Sequence, residues 1–191
     1  AERIALENPL AVVFIYHRQP RRHFLFFFPL PDGEFYYFRN GHLIANELYR
    51  RTQDEPLLDP EVELYRRFGE GNQTPGASIF LYYGHEIPES DGAGYDASYP
   101  GRSFTVRDFA AGLGAFTPRS GRFDLMILST CFGGTPYTIG NLGLFARYII
   151  ASPENLHLSY FDLHSLERLD FGVQKGAVAA FAGTFAHQAF G

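Results

Sequence analysis

Two residues of this chain could do chemistry together: its single cysteine, Cys131, and a histidine 46 positions earlier, His85. A thiolate attacks carbonyl carbon well. An imidazole beside it can take the thiol proton and later return it to a departing amine. The attacked carbonyl oxygen becomes an oxyanion, which needs N–H donors already in place. Cys131 is followed by Phe132-Gly133-Gly134 and His85 is preceded by Gly84, so the backbone can come close to a reacting group at both points. The N–H groups of Cys131 and of Glu86, the residue after the histidine, are the candidate oxyanion donors. A lone cysteine excludes an internal disulfide and any multi-cysteine metal site. No spacing of His, Asp and Glu elsewhere fits a metal. The other histidines lack such company. His17, His23 and His42 read as surface or capping groups, His157 and His164 flank a Tyr- and Phe-rich stretch, and His187 reads as solvent-facing.

The elements that must position the pair can be read next. Ser78–Tyr83 and Leu125–Leu128 are short apolar runs, the signature of strands covered on both faces in a parallel sheet. The first delivers Gly84-His85-Glu86, and the second delivers Ser129-Thr130-Cys131. A third run, Tyr148–Ala151, delivers Ser152-Pro153-Glu154. Ligands of open parallel sheets bind beyond the carboxyl ends of the strands, and neighbouring ends lie about 5 Å apart. Helical signals alternate with these runs. Asp59-Pro60-Glu61 starts a helix that carries Val62, Tyr65 and Phe68, and Gly69 can stop it. Thr105-Val106-Arg107-Asp108 fits a capping box. Thr135-Pro136 predicts a helix over Tyr137–Arg147, and Val173, Ala177, Phe181 and Phe185 recur at helical spacing as a cover for the sheet. Three earlier runs, Ala11–Tyr16, Phe24–Phe28 and Phe35–Phe38, also read as strands. The gap from Tyr16 to Phe24 is too short for a parallel crossover of about 10–12 residues, so either a hairpin lies there or a helix is missing. Alternating strands and helices predict an α/β layered fold.

Composition bounds the rest. A chain of 191 residues favours one domain, here 1–191. Apolar residues make up 46% of it, which excludes a disordered chain, and many of its 20 Phe and 12 Tyr must be core. A net charge of −5 argues against a nucleic-acid backbone binder. The basic cluster Arg18, Arg21, Arg22 and His23 reads as a solvated turn. No run reaches the roughly 18 apolar residues of a membrane span. The start, Ala1-Glu2-Arg3, shows no signal pattern, as expected of a mature form, a trimmed form or a fragment.

These residues resemble the clostripain-like cysteine peptidases, within the group that shares the caspase–hemoglobinase fold. The resemblance runs from Asp59 to Asp162 in order: the Asp59-Pro60-Glu61-Val62 helix, Ile79–His85, the polar loop with Gly92, Gly94, Asp96 and Ser98, the Thr105–Leu113 helix, Phe123–Cys131 and Tyr148–Glu154. The His–Cys spacing and Cys131-Phe132-Gly133 are also similar to the caspase signature, whose spacing is about 50. The resemblance implies a caspase-like three-layer α/β/α fold with a mostly parallel central sheet. It implies a cysteine endopeptidase in which His85 is general base and acid and Cys131 forms a thioester acyl-enzyme. A protein or peptide would be the substrate, no metal or organic cofactor would be required, and the location would be secreted, periplasmic or cell-surface. Ser129, Ser152, Glu154 and Asp162 are implied as the substrate pocket. Two positions depart from the pattern: Glu86 stands where the group usually has Gly, and Ser129 where clostripain-like enzymes often carry an acid for a basic substrate side chain. The alternative that these departures motivate is an inactive relative acting as a binding or scaffold module.

Overall fold

Seven consecutive buried residues, Phe123–Ser129, form the strand around which the second half of the chain is organised. In the computed structural model, residues 2–25, 27–53, 58–69, 76–117, 121–156 and 177–190 are described. The chain divides into two units. One comprises Ala1–Thr74 with Gly92–Phe104, and the other comprises Pro75–Asp91 with Thr105–Gly191.

The first unit holds α1 (Glu2–Glu7), β1 (Val12–Arg18), β2 (His23–Phe24), β3 (Phe28–Pro29), β4 (Gly33–Arg39), β5 (His42–Tyr49) and α2 (Asp59–Gly69). Its main sheet has the order β1-β4-β5, and both pairings are antiparallel. The first run forms no hairpin with the second: it pairs antiparallel with the third, so the short early gap holds neither a direct hairpin of the first two runs nor a parallel crossover. β1 pairs with β4, and a two-stranded ribbon of β2 and β3 fills the loop between them. The Phe24–Phe28 run is not one strand. Leu25 turns into the left-handed region (φ 47°) and the run breaks into two short pieces. Pairing continues past Pro29 to the Leu30 N–H, which donates to the Arg22 carbonyl, and Pro31 then offers no N–H to a ladder. Sequence reading passed over β5, although Asn40 (φ 53°) and Gly41 (φ 72°) form the two left-handed positions of a tight hairpin turn. Over this sheet, Phe35, Tyr37 and Leu64 form a buried cluster packed by Phe14, Tyr16, Tyr49 and Phe68. Phe14 stacks on Tyr37 with centroids 5.0 Å apart. The same unit buries an ionic network. Arg51 lies 3.2 Å from Asp32 and 2.6 Å from Asp96, and the Tyr99 hydroxyl donates to Asp32 at 2.6 Å. These contacts fasten the Gly92–Phe104 insert to the end of β5.

The second unit is a parallel sheet, β6 (Ile79–Tyr83), β7 (Phe123–Ser129) and β8 (Ala146–Ala151), in that spatial order. The crossovers are α3 (Val106–Gly114) and α4 (Pro136–Leu142), which pack on each other, while α5 (Ala177–Phe190) packs against β7 and β8 through Val178, Ala182 and Phe185. The capping box at Thr105 is formed in full: Asp108 N–H donates to the threonine hydroxyl, and the Thr105 N–H donates to the Asp108 carboxylate. Thr135 caps α4 as expected, but that helix ends at Leu142 and not near Arg147. Gly140 and Gly143 weaken it, and the chain is needed again as strand from Ala146. At the amino ends of the strands, Asp124 acts as a staple. One of its oxygens accepts the N–H (2.9 Å) and hydroxyl (3.0 Å) of Ser78, and the Arg147 guanidinium lies 3.5 Å from the other. That staple ties together the amino ends of three strands. The fold is thus mixed α/β, with its parallel pairing in the second unit and antiparallel pairing in the first.

Candidate functional site

The register of β6 on β7 decides where the chemistry-bearing residues emerge. Tyr83 pairs with Ser129, and the Gly84 N–H donates to the Ser129 carbonyl at 3.2 Å. His85 and Cys131 each lie two residues beyond that last pair, at the carboxyl edge of adjacent parallel strands. His85 is exposed and Cys131 is half-buried.

Each turn is held by its own contacts. The Tyr82 hydroxyl donates to the His85 carbonyl at 3.2 Å, and its ring meets Phe109 edge-on. A Cβ on Gly84 would come within 2.7 Å of that hydroxyl, so a larger residue there would displace the tyrosine tip from the turn. On the other side, Phe132 sits in the left-handed region (φ 51°), and its N–H donates to the Glu154 carbonyl at 3.0 Å. The Gly134 N–H donates to the Ser152 carbonyl at 2.8 Å. A Cβ on Gly134 would approach the Ser152–Pro153 backbone to 3.0 Å, and one on Gly133 would meet Thr130 at 2.9 Å. The glycine pair therefore lets the turn after Cys131 lie directly on the end of β8. The two turns are also tied to each other. The Thr135 hydroxyl, which caps α4, donates to the Glu89 carboxylate at 2.5 Å.

The cysteine sulfur is ordered by one backbone residue. Leu156 N–H donates to Sγ at 3.3 Å, and Sγ lies 3.5 Å from the Leu156 carbonyl. Sequence reading missed Leu156, because the contact uses only main-chain atoms and leaves no side-chain signature. It also missed Tyr82 and the Thr135–Glu89 tie.

The remaining expected residues fall as follows. Glu86 is exposed beside His85. Ser129 is fully buried, and its hydroxyl has no hydrogen-bond partner among the described residues. Ser152 is buried, donating to the Glu154 carbonyl at 3.1 Å and accepting from the Glu154 N–H at 3.2 Å. Glu154 itself is exposed. Asp162, like His157 and His164, lies outside the described residues. Ser129, Ser152 and Glu154 thus gather with Cys131 around the ends of β7 and β8. Among the described residues no three His, Cys, Asp or Glu side chains come together as a metal site, and no helix is long and apolar enough to cross a membrane.

The structure is similar to that of a secreted C11 cysteine protease from Bacteroides thetaiotaomicron, solved in complex with an irreversible peptide inhibitor. The TM-score is 0.63 at 12% identity. C11 is the clostripain-like group that the sequence resembles. The match covers 98% of this chain and 51% of the protease, so the chain spans about half the length of that relative. At this identity the likeness is one of fold. No family model matches the sequence, and no curated protein matches it.

Proposed function

We propose that this chain is a cysteine endopeptidase domain, residues 1–191, built on the caspase-like three-layer α/β/α plan. The observation that carries the proposal is the parallel register of β6 and β7, which sends Gly84-His85 and Thr130-Cys131 off the same sheet edge. A fold shared with a cysteine protease over 98% of the chain supports it.

In this reading the His85 imidazole takes the thiol proton, and Cys131 Sγ attacks the peptide carbonyl. The Cys131 and Glu86 N–H groups receive the oxyanion. His85 then protonates the leaving amine; water gives a proton to His85 as it attacks the thioester, and the C–S bond breaks to release the acid and return the Cys131 thiolate beside the imidazolium. Every proton is carried by the imidazole or the water, so the cycle closes with the chain's own groups. Ser129, Ser152, Glu154 and Asp162 form the pocket for the substrate side chain. Serine in place of an acid makes the pocket floor neutral, and any preference for a basic side chain would then rest on Glu86, Glu154 or Asp162. The secreted C11 relative supports a location outside the cytoplasm.

Alkylation tests the nucleophile directly. Iodoacetamide at neutral pH is expected to modify Cys131 faster than a free model thiol, and His85→Ala is expected to remove the advantage. A wild-type rate equal to that of the model thiol would overturn the dyad.

A further inference from the structure

From Arg18 to Pro31 the chain carries no acidic residue, although acids outnumber bases 21 to 16 overall. The centre of this stretch is the β2–β3 hairpin. Its Phe24, Leu25, Phe27 and Phe28 are all more than half exposed, Phe27 at 83%. A side chain that exposed projects from its unit and does not line a groove. Arginines mark the hairpin's base. Arg21 and Arg22 lead into it, the Leu30 N–H donates to the Arg22 carbonyl at 2.9 Å, and the Arg50 guanidinium donates to the Pro29 carbonyl at 2.6 Å. All three are exposed, and among the described residues none of them is in an ion pair: Arg21 lies 5.6 Å from the Tyr99 ring centre and Arg22 donates to the Gln19 side-chain oxygen at 2.9 Å, both neutral partners.

Exposed aromatics of this number are costly in water. Their order, with an apolar tip above a base of cations that no carboxylate neutralises, matches the depth order of a lipid leaflet: acyl chains first, then phosphates. A protein groove would have to enclose a protruding tip and also neutralise three arginines at its rim. An anionic bilayer offers both without a preformed shape. We propose that the β2–β3 hairpin is a membrane-surface anchor. Its Phe and Leu side chains enter the interface of an anionic bilayer, and Arg21, Arg22 and Arg50 face the lipid phosphates. The contact lies on the surface and requires no spanning segment.

The chain contains no tryptophan, so Phe27→Trp installs a single fluorescent reporter at the tip. The full chain is mixed with vesicles of phosphatidylcholine alone, and with vesicles containing about a third phosphatidylglycerol. Expected results are a blue-shifted tryptophan emission from the Phe27→Trp variant and co-sedimentation with the anionic vesicles, both weakened by added salt. Replacing Arg21, Arg22 and Arg50 by Gln together should weaken binding about a hundredfold, at roughly fivefold per cation. Phe24→Ser with Phe28→Ser should weaken it at least about tenfold, as expected when two buried rings are removed. These positions are exposed, so circular dichroism of the variants should match wild type. Cys131→Ala should bind as wild type does, which separates this proposal from the peptidase reading. An unshifted emission with anionic vesicles would overturn it. So would equal binding to neutral vesicles, or undiminished binding by the Phe variant. Self-association that needs the Phe residues, without vesicle binding, would assign the hairpin to a second copy and overturn it as well.

Discussion

Cys131 presents a half-buried sulfur whose position is fixed by the main chain of Leu156, while the turn beneath it depends on residues with no side chain to spare. At this scale the most legible signals were chemical rarity and position. One cysteine and one histidine, each leaving an apolar run beside a glycine, could be picked out because few residue types do nucleophilic chemistry. The contacts that hold them could not, since Tyr82, Leu156 and Thr135 are ordinary residues whose roles exist only once distant segments meet. Ser129 carries a specific expectation. A buried hydroxyl with no partner pays desolvation without return, so Ser129→Ala should leave stability unchanged or raise it by about 1 kcal/mol in urea unfolding. A loss of that size would reveal a partner for the hydroxyl. Tyr99 carries a second. Burial, followed by its hydrogen bond to Asp32, pushes its phenol up to about 12. A phenol whose folded value lies above its unfolded value of about 10 adds stability that is complete below about pH 10 and is lost as pH rises toward 12. Alkaline urea titrations should show a shallower loss over that window in Tyr99→Phe than in wild type.

At the scale of elements, β7 could be read from sequence because it is covered on both faces and its Leu125–Leu128 centre is apolar at every position. β5 could not, because it is an edge strand with His42, Leu43 and Ile44 consecutively exposed, and a register shift at Tyr37–Phe38 disturbs its pairing. Only the Asn40-Gly41 turn announced it. The α4 helix was overextended because its start signal is strong while its stop is a glycine pair that could equally sit inside a helix. Asp124 joins this scale to the site. Removing its carboxylate in Asp124→Ala strands the Ser78 donors and should cost about 2 kcal/mol in urea unfolding. If the staple sets register at the far end, the variant should also slow Cys131 alkylation, although Asp124 lies at the opposite ends of the strands. Gly134→Ala pushes a methyl toward the Ser152–Pro153 backbone and should cost about 1–3 kcal/mol, read by thermal or urea unfolding.

For the whole molecule, composition predicted a sizeable core and the alternation of strands and helices predicted an α/β fold, and the division between antiparallel pairing in one unit and parallel pairing in the other was the part they could not supply. Strand direction is set by the length of each connection. The short early link was recognised as unsuited to a parallel crossover, but β1 pairs with β4 across the intervening β2–β3 ribbon, a partner that connection length alone does not specify. Stability should be distributed unevenly. In hydrogen exchange, the amides of Leu125, Met126, Ile127 and Leu128, central in the parallel sheet and almost fully buried, are expected to exchange slowest, and those of the β2–β3 ribbon fastest. Function at this scale turns on whether the thiol and imidazole leaving β7 and β6 open peptide bonds. The most direct measurement is an unbiased peptide-library cleavage profile of the intact chain beside its Cys131→Ala variant. Discrete cuts are expected with wild type and none with the variant. Cuts that survive the loss of Cys131, or a wild-type chain that cleaves nothing, would contradict the peptidase reading.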